Sequence, residues 1–401
     1  MKKKTMVTIV VFCLMLSSGL LTSFFLPEKE SSVMENRELQ KKPDFSKKKF
    51  IRGQYQKQYE RYLGDQFFSR DRWVRLSVGI QEALGKREIN GVYVGKKGYL
   101  LEKNRDTDFD SVQVKENTGF LAEFLNETAK KYGKKHVSCM MVPSKTEALP
   151  NRLPDFVSHT GQGDVLSLLK GRLHDPELLF DAAGEMQKHR QGYIYYRTDH
   201  HWTTLGAFYA YSAWAKRTGQ ASPHKLDYYK RETVFTDFYG TTYKKAPVNV
   251  PADSIELFHN RGDNKVTVNM DNGAVTSDSP YFKEAALQGF NRYEIFFSKN
   301  TFQIEVNTKA GTGRTMLLIK DSFANCFVPF LTEDYDRIIM IDYRYGKIPI
   351  GRILNIHKEI TDVLVLFQTE TFMKNTKLEK LADVRMEEGG MEEFNPADFL
   401  E

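Results

Sequence analysis

The hydrophobic pattern changes period several times along this chain. From Met6 to Leu26 no charge interrupts an apolar run that follows Lys2, Lys3 and Lys4. As a helix, that run spans roughly 30 Å, the thickness of a bilayer core. The leading lysines predict a cytoplasmic N-terminus and an exported body. Leu20 to Leu26 offers no small-x-small cleavage site, so residues 1–26 read as an uncleaved transmembrane signal-anchor, with a cleaved, secreted form as the alternative. Residues 27–49 are polar, charged and broken by Pro27 and Pro43, the texture of a linker. From Phe50 the period becomes helical: Tyr55, Tyr59, Tyr62 and Leu63 share a face, as do Trp73, Leu76, Ile80 and Leu84, with a break near Gly64–Phe67.

Two short apolar runs, Val92–Val94 and Tyr99–Leu101, flank a glycine-containing turn and predict a hairpin. Helix is expected over 112–132 and buried strand over Val137–Val142, stopped by Pro143. A strand at Leu178–Phe180, a helix to about His189 and a third strand at Tyr193–Tyr196 follow; a helix then begins near Thr203 or Thr204, either a suitable N-cap. Residues 220–310 are rich in Asn, Asp, Gly and Pro and read as a strand-rich insertion. Apolar strands return at Met316–Ile319, Ile338–Ile341 and Val363–Phe367, near the spacing of successive βαβ units. This alternation predicts an α/β body over 50–380 with a central parallel sheet. Residues 381–401 read as an acidic, mobile tail.

Composition narrows the function. A net charge of +6, with basic residues scattered rather than striped, argues against nucleic acid as a partner. Cys13, Cys139 and Cys326 form no C-x-x-C and no disulfide framework. Nothing in the pattern calls for a cofactor.

The chemistry concentrates in Asp199-His200-His201-Trp202 and Lys320-Asp321-Ser322-Phe323. Ser322 follows an apolar strand, at the sheet edge where parallel sheets place ligands. It reads either as an exposed nucleophile or as a helix N-cap. A serine hydroxyl needs a base, and a neutral imidazole suits that work when a carboxylate fixes its tautomer. In an extended segment, residues two apart share a face, which pairs Asp199 with His201 and sends His200 elsewhere. The reading is therefore Ser322 as nucleophile, His201 as base and Asp199 as orienting carboxylate, with the N–H of Ser322 or Phe323 facing the oxyanion. Arg344 is a candidate for substrate or oxyanion, and Tyr343 and Tyr345 for stacking on a sugar; a salt bridge and core packing are their alternatives. Asp199, His200 and His201 are metal-ligand types, but no His-x₃-His spacing or cysteine cluster completes a shell, so no metal is expected.

With these motifs, and with Asp65-Gln66-Phe67, Val92–Leu100, Val142–Lys145, Phe238-Tyr239-Gly240 and Asp342–Tyr345, the chain resembles the DHHW proteins. These are related to the AlgX/AlgJ-type, SGNH-hydrolase-like O-acetyltransferases of exopolysaccharide biosynthesis. The resemblance implies an SGNH-hydrolase-like three-layer sandwich. It also implies transfer of an acetyl group through Ser322 to a cell-surface or secreted polysaccharide, with a membrane-bound O-acyltransferase as acetyl donor. Lys320 stands where ordinary SGNH enzymes have glycine. A carbohydrate esterase or deacetylase using the same triad is the alternative, as is a non-catalytic polysaccharide-binding scaffold.

Overall fold

The computed structural model describes residues 3–25, 27–32, 37–104, 108–157, 162–262, 265–270, 273–289, 291–382 and 384. The expected acidic tail, from 385 onward, lies outside the described residues. The chain forms two compact units, one of Met1–Asn90 with Tyr243–Asn249 and one of Gly91–Thr242 with Val250–Glu401.

The first unit is helical. Helix α1 covers Lys3–Phe25, α2 Gln54–Asp65 and α3 Arg70–Ala83. Among the described residues no helix is long and apolar enough to cross a membrane, so the expected transmembrane span has no support in the fold. Residues expected as a linker are pinned to the end of α2. Gln66 both accepts from the Lys29 N–H and donates to its carbonyl, each at 2.9 Å, and Asp65 accepts from the Gln40 N–H at 2.9 Å.

The second unit carries the α/β architecture. A hairpin joins β1 (Val92–Val94) to β2 (Leu100–Glu102), with Val92 opposite Glu102; Lys97 and Gly98 turn the chain at positive φ. After α4 (Ser111–Tyr132) come β3 (Val137–Val142) and β4 (Leu179–Asp181), then α5 (Thr204–Thr218). The stretch expected as an insertion contributes β5 (Lys230–Phe238), β6 (Asp253–His259), β7 (Thr267–Met270), β8 (Val275–Ser277) and β9 (Gln303–Asn307). The last beats are β10 (Thr315–Lys320), β11 (Arg337–Ile341), α6 (Ile350–Ile356), β12 (Asp362–Gln368) and α7 (Thr369–Lys374).

The main sheet runs β8-β7-β9-β11-β10-β12-β3-β4. Its five strands from β11 to β4 are parallel, as the apolar runs predict. The sheet as a whole is mixed, because β9, β7 and β8 extend it antiparallel. Their alternating burial explains this: half-polar strands suit an exposed sheet end, whereas β3, β10 and β12 are buried at every position. Strand alternation then fills two cores. Leu317, Ile319, Val363, Val365 and Phe367 face α4, α6 and α7, while Met316, Leu318, Leu364 and Leu366 face α5 and its aromatic neighbours. Helices on both faces make the three layers expected of the SGNH-like architecture.

Candidate active site

The Asp-His-His-Trp run does not follow a strand. Tyr195 pairs with Trp202 in an isolated antiparallel bridge, Tyr196 donates to the His201 carbonyl at 3.2 Å, and Thr203 donates to the Ile194 carbonyl at 3.0 Å. The chain therefore doubles back on itself with 197–200 at the tip. The buried Asp253 carboxylate, at the start of β6, fastens that tip. It accepts from the N–H groups of Arg197 and Thr198 at 2.8 and 2.7 Å, and from the hydroxyls of Tyr193 and Thr198. Four donors on one carboxylate compensate for burying its charge. Thr203 then caps α5, accepting from the Gly206 N–H.

Asp199 and His201 meet as expected, but through a turn rather than extended alternation. Asp199 Oδ1 accepts from the His201 backbone N–H at 2.9 Å, an Asx-type turn, and also from His201 Nδ1–H at 2.6 Å. With Nδ1 protonated, Nε2 offers a lone pair, and the Ser322 hydroxyl donates to it at 2.8 Å across 121 positions of sequence. Burial and the neighbouring His200 pull the His201 imidazole down to about 4, against the raising effect of Asp199. Burial works to raise Asp199, but the two histidines and its hydrogen bonds outweigh it and hold the carboxyl well below its ordinary value. The pair therefore stands at neutral pH as carboxylate and neutral base.

Two residues that sequence reasoning did not single out, Thr241 and Tyr293, hold this pair together with Gly240 of the Phe238-Tyr239-Gly240 motif. Thr241 donates to Asp199 Oδ2 from its N–H at 2.8 Å and from its hydroxyl at 3.0 Å. Since that hydroxyl proton is committed, His200 Nδ1, 2.6 Å from the same oxygen, must be a donor. Tyr293 stacks its ring on the His201 imidazole at 3.9 Å and 10°, and its hydroxyl donates to the Ser322 carbonyl at 3.2 Å. Gly240 lets the backbone pass against Asp199, since a Cβ there would overlap the carboxylate. His200 does not point away from its neighbour: the two rings lie 3.8 Å apart. Trp202 is fully buried and donates to the Phe323 carbonyl at 3.0 Å, tying the two motifs together.

In the second motif the cap is Asp321, not Ser322. Asp321 Oδ1 accepts from the Phe323 N–H at 2.9 Å, and Oδ2 from the Gln368 N–H at 2.7 Å. The helix that follows is a short 3-10 turn over Ser322–Cys326. The Phe323 N–H is thus engaged, and of the two backbone donors expected to face an oxyanion only that of Ser322 donates to no group among the described residues. Burial raises the Asp321 carboxyl to about 6, the Arg344 charge opposing it. Lys320 is fully buried and donates to Asn325 at 2.8 Å, bracing the turn from below. A glycine could not do this.

The three expected sugar-binding residues, adjacent in sequence, have different surroundings. Tyr343 is fully buried, edge-on to Phe302 at 5.8 Å, so core packing claims it and it stacks on no sugar. Arg344 makes a two-point ion pair with buried Asp342, at 2.9 and 2.6 Å. Tyr345 is half exposed beneath the Arg344 guanidinium, 5.5 Å from its ring. Asp199, His200 and His201 present donor atoms within 4.8 Å of one another, but those atoms also serve the bonds that orient the base.

Fold and site together define an α/β protein with an Asp–His–Ser chain of hydrogen bonds at the carboxyl edge of parallel strands. The family described as DHHW protein matches residues 180–341, which contain all three residues. A curated relative, "Probable alginate O-acetylase AlgJ" of Pseudomonas syringae pv. tomato, is 27% identical over 186 residues, 43% of this chain. That match spans 45% of the relative's own length. A DHHW family protein of Eubacterium siraeum shares the fold with a TM-score of 0.56 at 22% identity, over 72% of this chain and 97% of that one. PatB1 of Bacillus cereus does so with a TM-score of 0.58 at 19% identity, over 71% and 97%.

Proposed function

We propose that the chain is an extracytoplasmic O-acetyltransferase, anchored by its apolar N-terminal segment, that passes an acetyl group through Ser322 to a polysaccharide hydroxyl. One observation carries the reading: the continuous hydrogen bonding from Asp199 through His201, at 2.6 Å, to the Ser322 hydroxyl, at 2.8 Å. The O-acetylase named among its relatives supports acetyl as the group moved and polysaccharide as the acceptor.

In the first half-reaction Ser322 Oγ attacks the donor's acetyl carbonyl as its proton passes to His201 Nε2. The developing oxyanion meets the Ser322 N–H, and the leaving group departs with the proton from His201. In the second, an acceptor hydroxyl gives its proton to His201 and its oxygen takes the acetyl group, and Ser322 regains its hydrogen. Asp199 stabilises the imidazolium in both. The scheme needs an acetyl donor, and the family resemblance points to a membrane-bound O-acyltransferase in that role.

Incubation of the protein with p-nitrophenyl acetate, followed by intact-mass measurement, tests the reading. A transient acetyl adduct should form on the wild type, be lost in Ser322→Ala and form more slowly in His201→Ala. Equal labelling of wild type and Ser322→Ala would sink it.

A further inference from the structure

Two cavities lie side by side beyond the carboxyl ends of β3 and β12, where open α/β sheets bind ligands. The inner one, about 130 Å³, is bounded by Glu102, Lys145, His200, Phe323 and Glu370. It borders the site through two neighbours: the His200 ring lies 3.8 Å from that of His201, and the ring of Phe323, the residue after Ser322, lies 4.9 Å from it. The outer cavity, about 290 Å³, shares Asn104, Ser144, Thr146 and Glu370 with the inner one. Phe109, Val114, Val165, Leu168 and Met373 form its apolar wall. Gln162 fixes the junction, accepting from the Ser144 N–H at 3.1 Å and donating to Glu370 at 3.0 Å.

The charges balance. Among the described lining residues Lys115, Lys145 and Lys374 stand against Glu102, Asp164 and Glu370, three against three, without an arginine. Two of the ammonium groups are already engaged. Lys145 donates to the carbonyls of Tyr196 and Arg197 at 2.9 and 3.2 Å, and Lys374 lies over the Phe109 ring at 5.0 Å. Burial, with Glu102 adding to it, raises the Glu370 carboxyl to about 7, so its protonated form can donate to a hydroxyl at neutral pH. An apolar wall beside a hydrogen-bonding edge matches a pyranose, which has C–H faces and a hydroxyl rim. A uronate would bring its carboxylate against Glu102 without the guanidinium fork that suits it.

Resting on the acetyl-transfer reading, we infer that this two-part cleft is the acceptor site and takes a pyranose without a carboxylate. The sugar ring lies on the apolar wall, its hydroxyl enters past His200, and Glu370 is the specificity-determining residue.

The test loads the full chain with acetyl from p-nitrophenyl acetate and follows loss of the adduct. The acceptors are neutral xylo-, cello- and manno-oligosaccharides on one side and oligogalacturonate on the other. At least one neutral series should speed adduct loss about tenfold or more over water, and oligogalacturonate should not. Glu370→Gln and Leu168→Trp should each lower the ratio of stimulated to spontaneous loss. Equal stimulation by oligogalacturonate, stimulation by no neutral series, or unchanged ratios in both variants would overturn the inference. If Ser322 takes no acetyl group, the transfer reading fails by itself, and calorimetric titration of the same sugars still decides the cleft. Neutral-sugar binding that Leu168→Trp weakens supports it; equal or tighter binding of oligogalacturonate, or no binding of any neutral series, overturns it.

Discussion

Tyr293 and His201 lie ring on ring, 3.9 Å apart and 10° from parallel, while the same tyrosine's hydroxyl holds the Ser322 carbonyl. One side chain thus sets the base and the backbone of the nucleophile against each other. Tyr293→Ala should lower the first-order rate of Ser322 acetylation about 10²-fold through misplacement of the imidazole. Tyr293→Phe keeps the stack and should stay within about tenfold of wild type. Single-turnover labelling by p-nitrophenyl acetate measures both, and equal losses in the two variants would mean the stack does not position the base.

Asp199→Asn should be more severe. An amide can donate to Nδ1 and turn the imidazole's proton toward Ser322, so acetylation should fall about 10⁴-fold with the fold intact. Circular dichroism and the labelling rate, measured on the same sample, check this. A fall below tenfold would remove Asp199 from the orienting role.

Proton linkage gives a third expectation. His201, pulled from 6.5 to about 4, stays neutral well below the ordinary histidine range. The acetylation rate should therefore be level from pH 8 to 5 and drop tenfold per unit only below about pH 4. Stability should move in the same direction. Between pH 6.5 and 4 the unfolded imidazole binds a proton that the folded one refuses, so this group lowers stability as pH falls through that window. A rate limb centred at 6.5 in a stopped-flow pH series would contradict the burial argument.

Gly240→Ala tests the close approach behind Asp199. The added methyl overlaps the carboxylate, so the substitution should cost about 1–3 kcal/mol and also slow acetylation. Thermal unfolding and labelling should both respond. A change in one alone would separate packing from positioning.

Much of this molecule was legible in its residues. The uninterrupted apolar runs gave β3, β10, β11 and β12 within a residue or so, because strands buried on both faces carry no competing signal. The meeting of Asp199, His201 and Ser322 was legible because the three lie in two short motifs. Their supports were not. Thr241 and Tyr293 lie in a stretch of irregular texture, and they matter through contacts 42 positions from Asp199 and 29 from Ser322. Tyr193–Tyr196 reads as a strand because it is a short apolar run, yet Tyr195 and Tyr196 are buried in a folded-back loop packed beneath α5. Tyr343 looked like a platform for sugar, but an apolar face of the sheet claims it. Type and spacing alone do not separate those two fates.

Strand order also bears on when the site comes into being. The strand that leads to Ser322, β10, lies between β11 and β12, both made after it. Asp321 is held on one side by the Leu366 carbonyl and on the other by the Gln368 N–H. During synthesis, Ser322 therefore emerges before its scaffold exists, and a chain stopped short of Gln368 has every residue of the triad but not the turn that presents them.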